Sequence, residues 1–322
     1  MKRRDFLGGL TAALAGATVP GRLAAAAAGS ARRGPERFIE RWSWAMGQAV
    51  HLQLFAVSDM AGYEIAQAAL AELRRVEGVL SRFDDRSELS ELNRTAGRGP
   101  QKVGADLAAV LTAAAHFRTG TDGAFNIAVE PLMRAWGFHT ERRSPPSAAE
   151  LAEARASVRA ATLTVGPGSV TLGGRATQLD LGGIGVGYGL DRMAHVLRQG
   201  GVRRALLDVS GDCLALGAPP GESGWLVAVA DPSRPGGTIG QVRLRDAALA
   251  TSANTVSVIH WGRAVRGHVM DPATGYPAAA LVQATVVART GLEADALSTA
   301  MLVSGHRPAG ALDSFQVGGS LG

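Results

Sequence analysis

Two residue pairs and one glycine-rich stretch carry most of the chemistry this chain could perform. Asp295 and Thr299 are spaced i, i+4 on a predicted helix over Glu293–Leu302, so both side chains project from one face. A carboxylate and a hydroxyl are hard oxygen donors. Together with main-chain carbonyls from a glycine loop they suit Mg2+, which takes few protein ligands and prefers phosphate partners. Alone, the pair reads better as an exposed aspartate favoured near a helix N-terminus beside a packed threonine. His268 and Asp271 flank a strand end in GHVMDPATGYP and form the second pair, the candidates for catalysis. A histidine next to a metal–phosphate centre can act as base or steady a phosphate, whereas the plain alternative is a histidine bonded in a turn. His51, His116, His139, His195, His260 and His306 lack such company and read as structural. A Ser210–His268–Asp271 hydrolase is disfavoured, because Ser210 stands in Val-Ser-Gly-Asp and not in a G-x-S-x-G elbow.

The glycine-rich stretch is Gln178–Leu197, QLDLGGIGVGYGLDRMAHVL. It reads as a short apolar strand end, Leu179 and Leu181, then alternating glycines Gly183, Gly185, Gly187 and Gly189. An amphipathic helix follows, with Leu190, Met193, Ala194 and Leu197 on one face. Glycines at such a junction let a ligand approach bare backbone, and the helix N-terminus suits an anion. Asp180 sits just before the loop, where its carboxylate can bond a ligand or orient the turn. The spacing G-x-G-x-x-G is met in no register, so this is a phosphate-loop type of feature without the dinucleotide fingerprint. A tight turn with no ligand accounts for it equally well.

The elements that must position these residues alternate irregularly. Trp42–Val57 reads as a strand containing Met46-Gly47, and Tyr63–Leu80 as a helix. Ser87 caps a short helix after a polar loop, and Asp106–Thr119 is a further helix. Thr121–Asn126 opens a loop that runs to Trp136-Gly137-Phe138. The charged segment Glu141–Val158 is a surface excursion plus a helix. Thr162–Gly174 is a β-hairpin about Gly-Pro-Gly. Short strands follow at Ala205–Val209, Trp225–Ala230, Gln241–Leu244, Ala248–Thr251 and Thr285–Ala288, with a strand turn and return over His260–Met270 about Gly262. Strands outnumber helices, which predicts an α+β fold of mixed or antiparallel sheets with helices packed outside.

The 322 residues permit one large domain or two closely packed ones, and 46% hydrophobic content is ample for a core. The net charge of +5 resides in residues 1–34: residues beyond 34 carry 27 basic and 27 acidic side chains. That balance argues against a nucleic-acid partner held by general electrostatics. The single cysteine, Cys213, excludes an intramolecular disulfide and reads as a buried inert thiol. Arg3-Arg4-Asp5-Phe6-Leu7, a weakly apolar stretch and an alanine run describe a twin-arginine export leader over residues 1–28, implying a periplasmic protein. Residues 29–40 read as a linker, and 41–322 as the functional domain. No later stretch reaches the roughly 20 apolar residues of a membrane span.

Taken in order, SRFDDRSELSELN, DGAFNIAVEPLMRAWGF, LDLGGIGVGYGLD, VSGDCLALG, WLVAVADP, ALATSAN, GHVMDPATGYP and EADALSTAM resemble the ApbE family, the FAD:protein FMN transferases. The likeness runs from about Met46 to about Gly305. It implies a flavin cleft between two closely packed lobes, and use of Mg2+ to bind FAD and attach FMN to a Thr or Ser hydroxyl of an acceptor protein, with AMP leaving. It implies Asp295 and Thr299 as metal side chains, with Gly183 and Ser298 as carbonyl ligands. By the same resemblance Met46, Phe83, Ala124, Phe125, Asn126, Asp180, Val186 and Met270 contact FAD, and His268 serves catalysis. The implied acceptor is the FMN-binding domain of a periplasmic or membrane-linked electron-transfer protein. Val186 stands where many members carry lysine, Asn126 replaces a common aspartate, Phe83 a tyrosine and Ala253 a glycine. No final strand is evident after Gly305. Two other readings remain: an FAD pyrophosphatase giving FMN and AMP, and a protein that binds FAD without chemistry.

Overall fold

The computed structural model describes residues 36–140, 142, 144–261 and 264–318. The leader residues 1–28 and the first part of the expected linker lie outside the described residues. The strand β1 (Arg37–Ala45) already occupies the end of that linker, so the domain begins earlier than residue 41. The stretch read as one strand over 42–57 is a hairpin. β1 turns at Met46 and Gly47, with φ of 53° and 71°, and returns as β2 (Gln48–Ala56).

Hydrophobic residues at alternate positions of β2, Val50, Leu52 and Leu54, face one side and are fully buried. They join the core of a seven-stranded sheet of order β1-β2-β6-β7-β10-β13-β14, in which every neighbour pairs antiparallel. Its further members are β6 (Ala205–Val209), β7 (Asp212–Leu216), β10 (Ala247–Ala253), β13 (Leu281–Ala288) and β14 (Asp313–Gly318). The final strand that the sequence conceals is β14. Its FQVG is too short and too polar at its start to stand out, and β13 supplies the pairing that makes it a strand.

Three helices cover the inner face: α1 (Asp59–Leu80), α6 (Gly185–Gln199) and α7 (Gly291–Ser304). Ser58 caps α1, its hydroxyl accepting the Ala61 N–H at 3.2 Å. The buried stripe Ala66, Ala69, Leu70 and Leu73 recurs at helical spacing and packs on the sheet, while Val76 further along enters a second core. On the opposite face the hairpin β8 (Trp225–Ala230) and β9 (Thr238–Leu244) seals a smaller core around Trp225, Phe55 and Cys213. Burial there pushes the Cys213 thiol well above its ordinary range, which fits an inert thiol.

The second lobe combines α2 (Glu88–Arg94), α3 (Ala105–Gly120) and a three-stranded sheet of β3 (Gln101–Lys102), β4 (Thr162–Gly166) and β5 (Ser169–Gly173). A helical pair, α4 (Glu130–Trp136) and α5 (Ala148–Ala160), packs with Met270 around Trp136. The helix α7 joins the lobes: its Ala294 enters the main-sheet core, and its Ala296 and Ala300 enter the second. A hairpin of β11 (Val258–Trp261) and β12 (Ala264–Gly267) forms, but its return strand ends at Gly267, short of the expected Met270, and its turn lies outside the described residues. The α+β expectation therefore holds. No helix among the described residues is long and apolar enough to cross a membrane.

Candidate active site

The residues before the glycine run are extended but pair with no strand, contrary to the expected strand end at Leu179 and Leu181. Both side chains are buried in the second-lobe core. Asn93 takes the place of a partner strand: its Oδ1 accepts the Leu179 N–H at 2.8 Å and its Nδ2 donates to the Leu179 carbonyl at 2.9 Å. The chain turns over 182–184 and α6 starts at Gly185, so the later glycines of the run are helical.

Those helical glycines set how closely α7 approaches. A Cβ on Gly187 would lie 2.1 Å from the Gly291 carbonyl oxygen, and one on Gly291 would lie 2.4 Å from that of Gly187. The two helices therefore cross backbone on backbone. Asp191 of α6 fixes the contact, accepting the N–H groups of Gly291 at 2.8 Å and Leu292 at 2.9 Å. A capping box of Thr290 and Glu293 completes the start of α7.

Close crossing brings Asp295 against the first turn of α6, where its carboxylate accepts the Gly187 N–H at 2.9 Å and is bonded by Val186 N–H as well. One turn on, Thr299 faces the glycine turn: a Cβ on Gly183 would lie 2.8 Å from its hydroxyl oxygen. Ser252 of β10 bonds the Ser298 hydroxyl at 2.8 Å and the Thr299 hydroxyl at 3.0 Å, and Ser298 donates to the Asp295 carbonyl at 2.9 Å. The four residues expected at a metal thus converge. Burial raises the Asp295 carboxyl to about 7. Asp212, on β7, is pushed well above its ordinary value by burial and by the Asp295 charge. Two enclosed carboxylates, bonded by main-chain N–H groups and not by a basic side chain, beside hydroxyl and carbonyl oxygens, form a donor set that fits a hard divalent cation. Asp212 and Ser252 carry no sequence signal of this role; only the antiparallel pairing of β7, β10 and β13 brings them here.

A second group gathers across the same turn. The Asp180 carboxylate accepts the Gly182 N–H at 2.7 Å with one oxygen, while the other faces Arg82 Nε at 3.4 Å. Glu130, buried at the start of α4, bonds Arg82 and His139. Phe83 is 80% exposed, with the Arg82 guanidinium 4.9 Å above its ring and the His139 ring edge-on at 5.7 Å. His268 lies within electrostatic reach of Asp180 and His139. Burial holds its imidazole below the ordinary value against the pull of the Asp180 charge, and its Nδ1 has no hydrogen-bond partner among the described residues. His139, read as structural, belongs to this group, and Glu130 and Arg82 were not singled out at all. Their partners lie 48 and 9 positions away, so no local spacing signals them.

The remaining expected residues divide. Met46, on the β1–β2 turn, packs against Gly189 of α6. Val186 lies in the first turn of α6, its side chain packed on the main core. Ala124 and Asn126 lie in the 121–126 loop, where the Asn126 side chain caps a 3-10 turn by accepting the Ala128 N–H. The Phe125 ring is 2% exposed and packed edge-on to Phe117, so only its main chain can meet a ligand. Met270 is buried against Trp136, with its backbone bridged to Pro277. Asp271 needs correction. One carboxylate oxygen accepts the Ala273 N–H at 2.8 Å, the other accepts the Thr274 hydroxyl at 2.8 Å, and its main chain closes the loop to Gly275 and Tyr276. Its carboxylate belongs to that turn. Ser210 sits in the β6–β7 turn with φ of 50°, its hydroxyl weakly bonded to Ala49, and forms no triad.

An antiparallel sheet clasped by helices, with a cation-fitting donor set and an aromatic–basic wall on two sides of one glycine turn, defines a two-lobed α+β enzyme. The chain belongs to the ApbE family, which matches residues 46–316. It is 32% identical over 266 residues to a FAD:protein FMN transferase of Treponema pallidum, covering 76% of this chain and 74% of that one. A FAD:protein FMN transferase of Haemophilus influenzae is 30% identical over 246 residues, covering 73% and 71%. Among solved structures, the ApbE protein of Thermotoga maritima aligns with a TM-score of 0.76 at 28% identity, over 83% of this chain and 87% of that one. The apo flavinyl transferase ApbE of Pseudomonas stutzeri aligns with a TM-score of 0.73 at 26% identity, over 84% and 85%.

Proposed function

We propose that this chain transfers FMN from FAD to a Thr or Ser hydroxyl of an acceptor flavoprotein, releasing AMP. The observation that carries the reading is the meeting of Asp295 and Thr299 with the Gly183 turn, next to the Asp180–Phe83 wall. Asp295, Thr299 and the carbonyls of Gly183 and Ser298 would hold Mg2+, which when bound neutralises pyrophosphate oxygens during phosphoryl transfer. The positive end of the α6 dipole favours the same anion. Phe83 presents a free ring to the flavin. His268, kept neutral by burial, can take the proton of the attacking hydroxyl. The hydroxyl oxygen bonds the FMN-side phosphorus, the pyrophosphate P–O bond breaks, and AMP carries off the bridging oxygen. The arginine pair and alanine run of the leader support export and a periplasmic acceptor of electron-transfer type.

The test incubates the protein with FAD, Mg2+ and a flavodomain presenting a threonine, and follows acceptor mass and AMP. Acceptor mass gain matched by AMP is expected, and Asp295→Ala abolishes both. AMP without mass gain would replace transfer by hydrolysis, and neither product would leave FAD binding alone.

A further inference from the structure

Three segments distant in sequence meet around one buried carboxylate. Glu130 is 1% exposed. It spends one oxygen on Arg82 Nη2 at 2.5 Å and the other on His139 Nδ1 at 2.7 Å. Both partners then face the same Asp180 oxygen, Arg82 Nε at 3.4 Å and His139 Nε2 at 3.9 Å. The second Asp180 oxygen accepts the Gly182 N–H, and the next residue is Gly183, apposed to Thr299. Glu130 thus stands at the root of a polar chain that ends at the cation turn. Glu130, His139 and Asp180 offer ligand atoms within 4.8 Å of one another, a spacing that a metal ion could bridge. The Arg82 guanidinium already supplies the positive charge there and would have to be expelled, so a second metal is the poorer account. A buried ion pair is weak evidence for stability, and its retention asks for a positional reason.

We infer that Glu130 is a positioning residue of this site: through Arg82 and His139 it fixes the Asp180 carboxylate, and with it the Gly182–Gly183 turn. The inference rests on the flavin-transfer reading of the centre. With a neutral side chain at 130, Arg82 is left with Asp180 as its sole carboxylate in the cluster and draws it away from the Gly182 N–H. The turn that presents Gly183 then loses its brace.

The test is a double-mutant cycle of Glu130→Gln and Asp180→Asn. It is read in FAD affinity by flavin fluorescence, in kcat/KM for FMN transfer, and in melting temperature. Glu130→Gln is expected to cost about tenfold in affinity and kcat/KM, the scale on which outer-shell partners act. Asp180→Asn costs at least as much, and the double variant is expected to fall within about twofold of Asp180→Asn alone, because residues acting through one another are not additive. Losses that multiply, or a Glu130→Gln enzyme with unchanged affinity and kcat/KM, would overturn the inference. Should Glu130→Gln fail to fold, Glu130→Asp replaces it in the cycle, its shorter side chain withdrawing the carboxylate from Arg82 and His139, and the same outcomes decide. FAD affinity is measured without an acceptor. A wild-type protein that binds FAD yet transfers nothing therefore defeats the proposed function while the cycle still decides the role of Glu130.

Discussion

Two glycines on one helix, two residues apart, are expected to respond to alanine with opposite signs. At Gly187 a Cβ would lie 2.1 Å from the Gly291 carbonyl oxygen and 2.8 Å from Asp295 Cβ. Ordinary carbon–oxygen contacts stop near 3.3 Å, so α6 and α7 must separate by about 1 Å. Both contacts are to backbone or to the first side-chain atom, so no rotamer change relieves them. Overpacking of this kind costs about 1–3 kcal/mol, against a helix-propensity gain of at most about 1 kcal/mol. At Gly185 the nearest atom is Leu80 Cδ1 at 4.0 Å, an ordinary contact, and the propensity gain stands alone. Thermal melts of metal-free protein without flavin should place Gly187→Ala below wild type by several degrees, at about 2–4 °C per kcal/mol for a domain of this size, and Gly185→Ala at or above it. The same separation draws Asp295 from the glycine turn, so Gly187→Ala should also lose about 100-fold in turnover, the usual cost of a 1 Å displacement. A Gly187→Ala protein as stable and active as wild type would refute the backbone-on-backbone crossing and the site geometry built on it.

Three further outcomes follow from the same geometry. Burial raises Asp295 to about 7 and shifts Asp212, Asp191 and Asp208 upward too. The folded state then holds protons that the unfolded chain has released, so metal-free protein should lose stability as pH rises from about 4 to 7. Carboxylates lowered by arginine or local hydrogen bonds, such as Glu72 and Glu150, act only at the acid end of the scale. His268, lowered by the same burial, acts in the opposite direction as one group against four carboxylates. Melting temperature in EDTA should therefore be lower at pH 8 than at pH 5.5, with saturating Mg2+ closing the gap; a net rise through that window contradicts the dominance of the buried carboxylates. Phe83→Ala should weaken FAD binding by about 1–3 kcal/mol, the value of ring stacking, and leave the melting temperature unchanged. Asp191→Ala removes the acceptor of two helix N–H groups and should cost about 1–2 kcal/mol in denaturant unfolding.

Much of the cation side was legible because it is local. The i, i+4 spacing puts Asp295 and Thr299 on one helix face, the family resemblance makes them metal side chains, and Gly183 lies within one unbroken run. The β1–β2 hairpin was read as one strand because Met46, an apolar residue with a positive φ, disguises its turn. Arg37–Glu40 look like linker because a one-faced edge strand shows little burial pattern; only Ile39 of the four is buried. The wall was half hidden. Phe83 came through the family resemblance and Asp180 through its place before the glycine loop, whereas Glu130 and His139 depend on the α4 segment docking beside the 180–182 turn. Asp271 misled for the converse reason: an acid near a histidine in sequence suggests partnership, while its own loop consumes both oxygens.

The order of strands also governs when this protein becomes competent. The wall is encoded early, at Arg82 and Phe83, and the cation donors late, on α7 between the last two strands. The glycine turn therefore lacks Asp295 and Thr299 until α7 has been made and docked. The helix that carries the last of these donors is thus also the one that ties the two cores together.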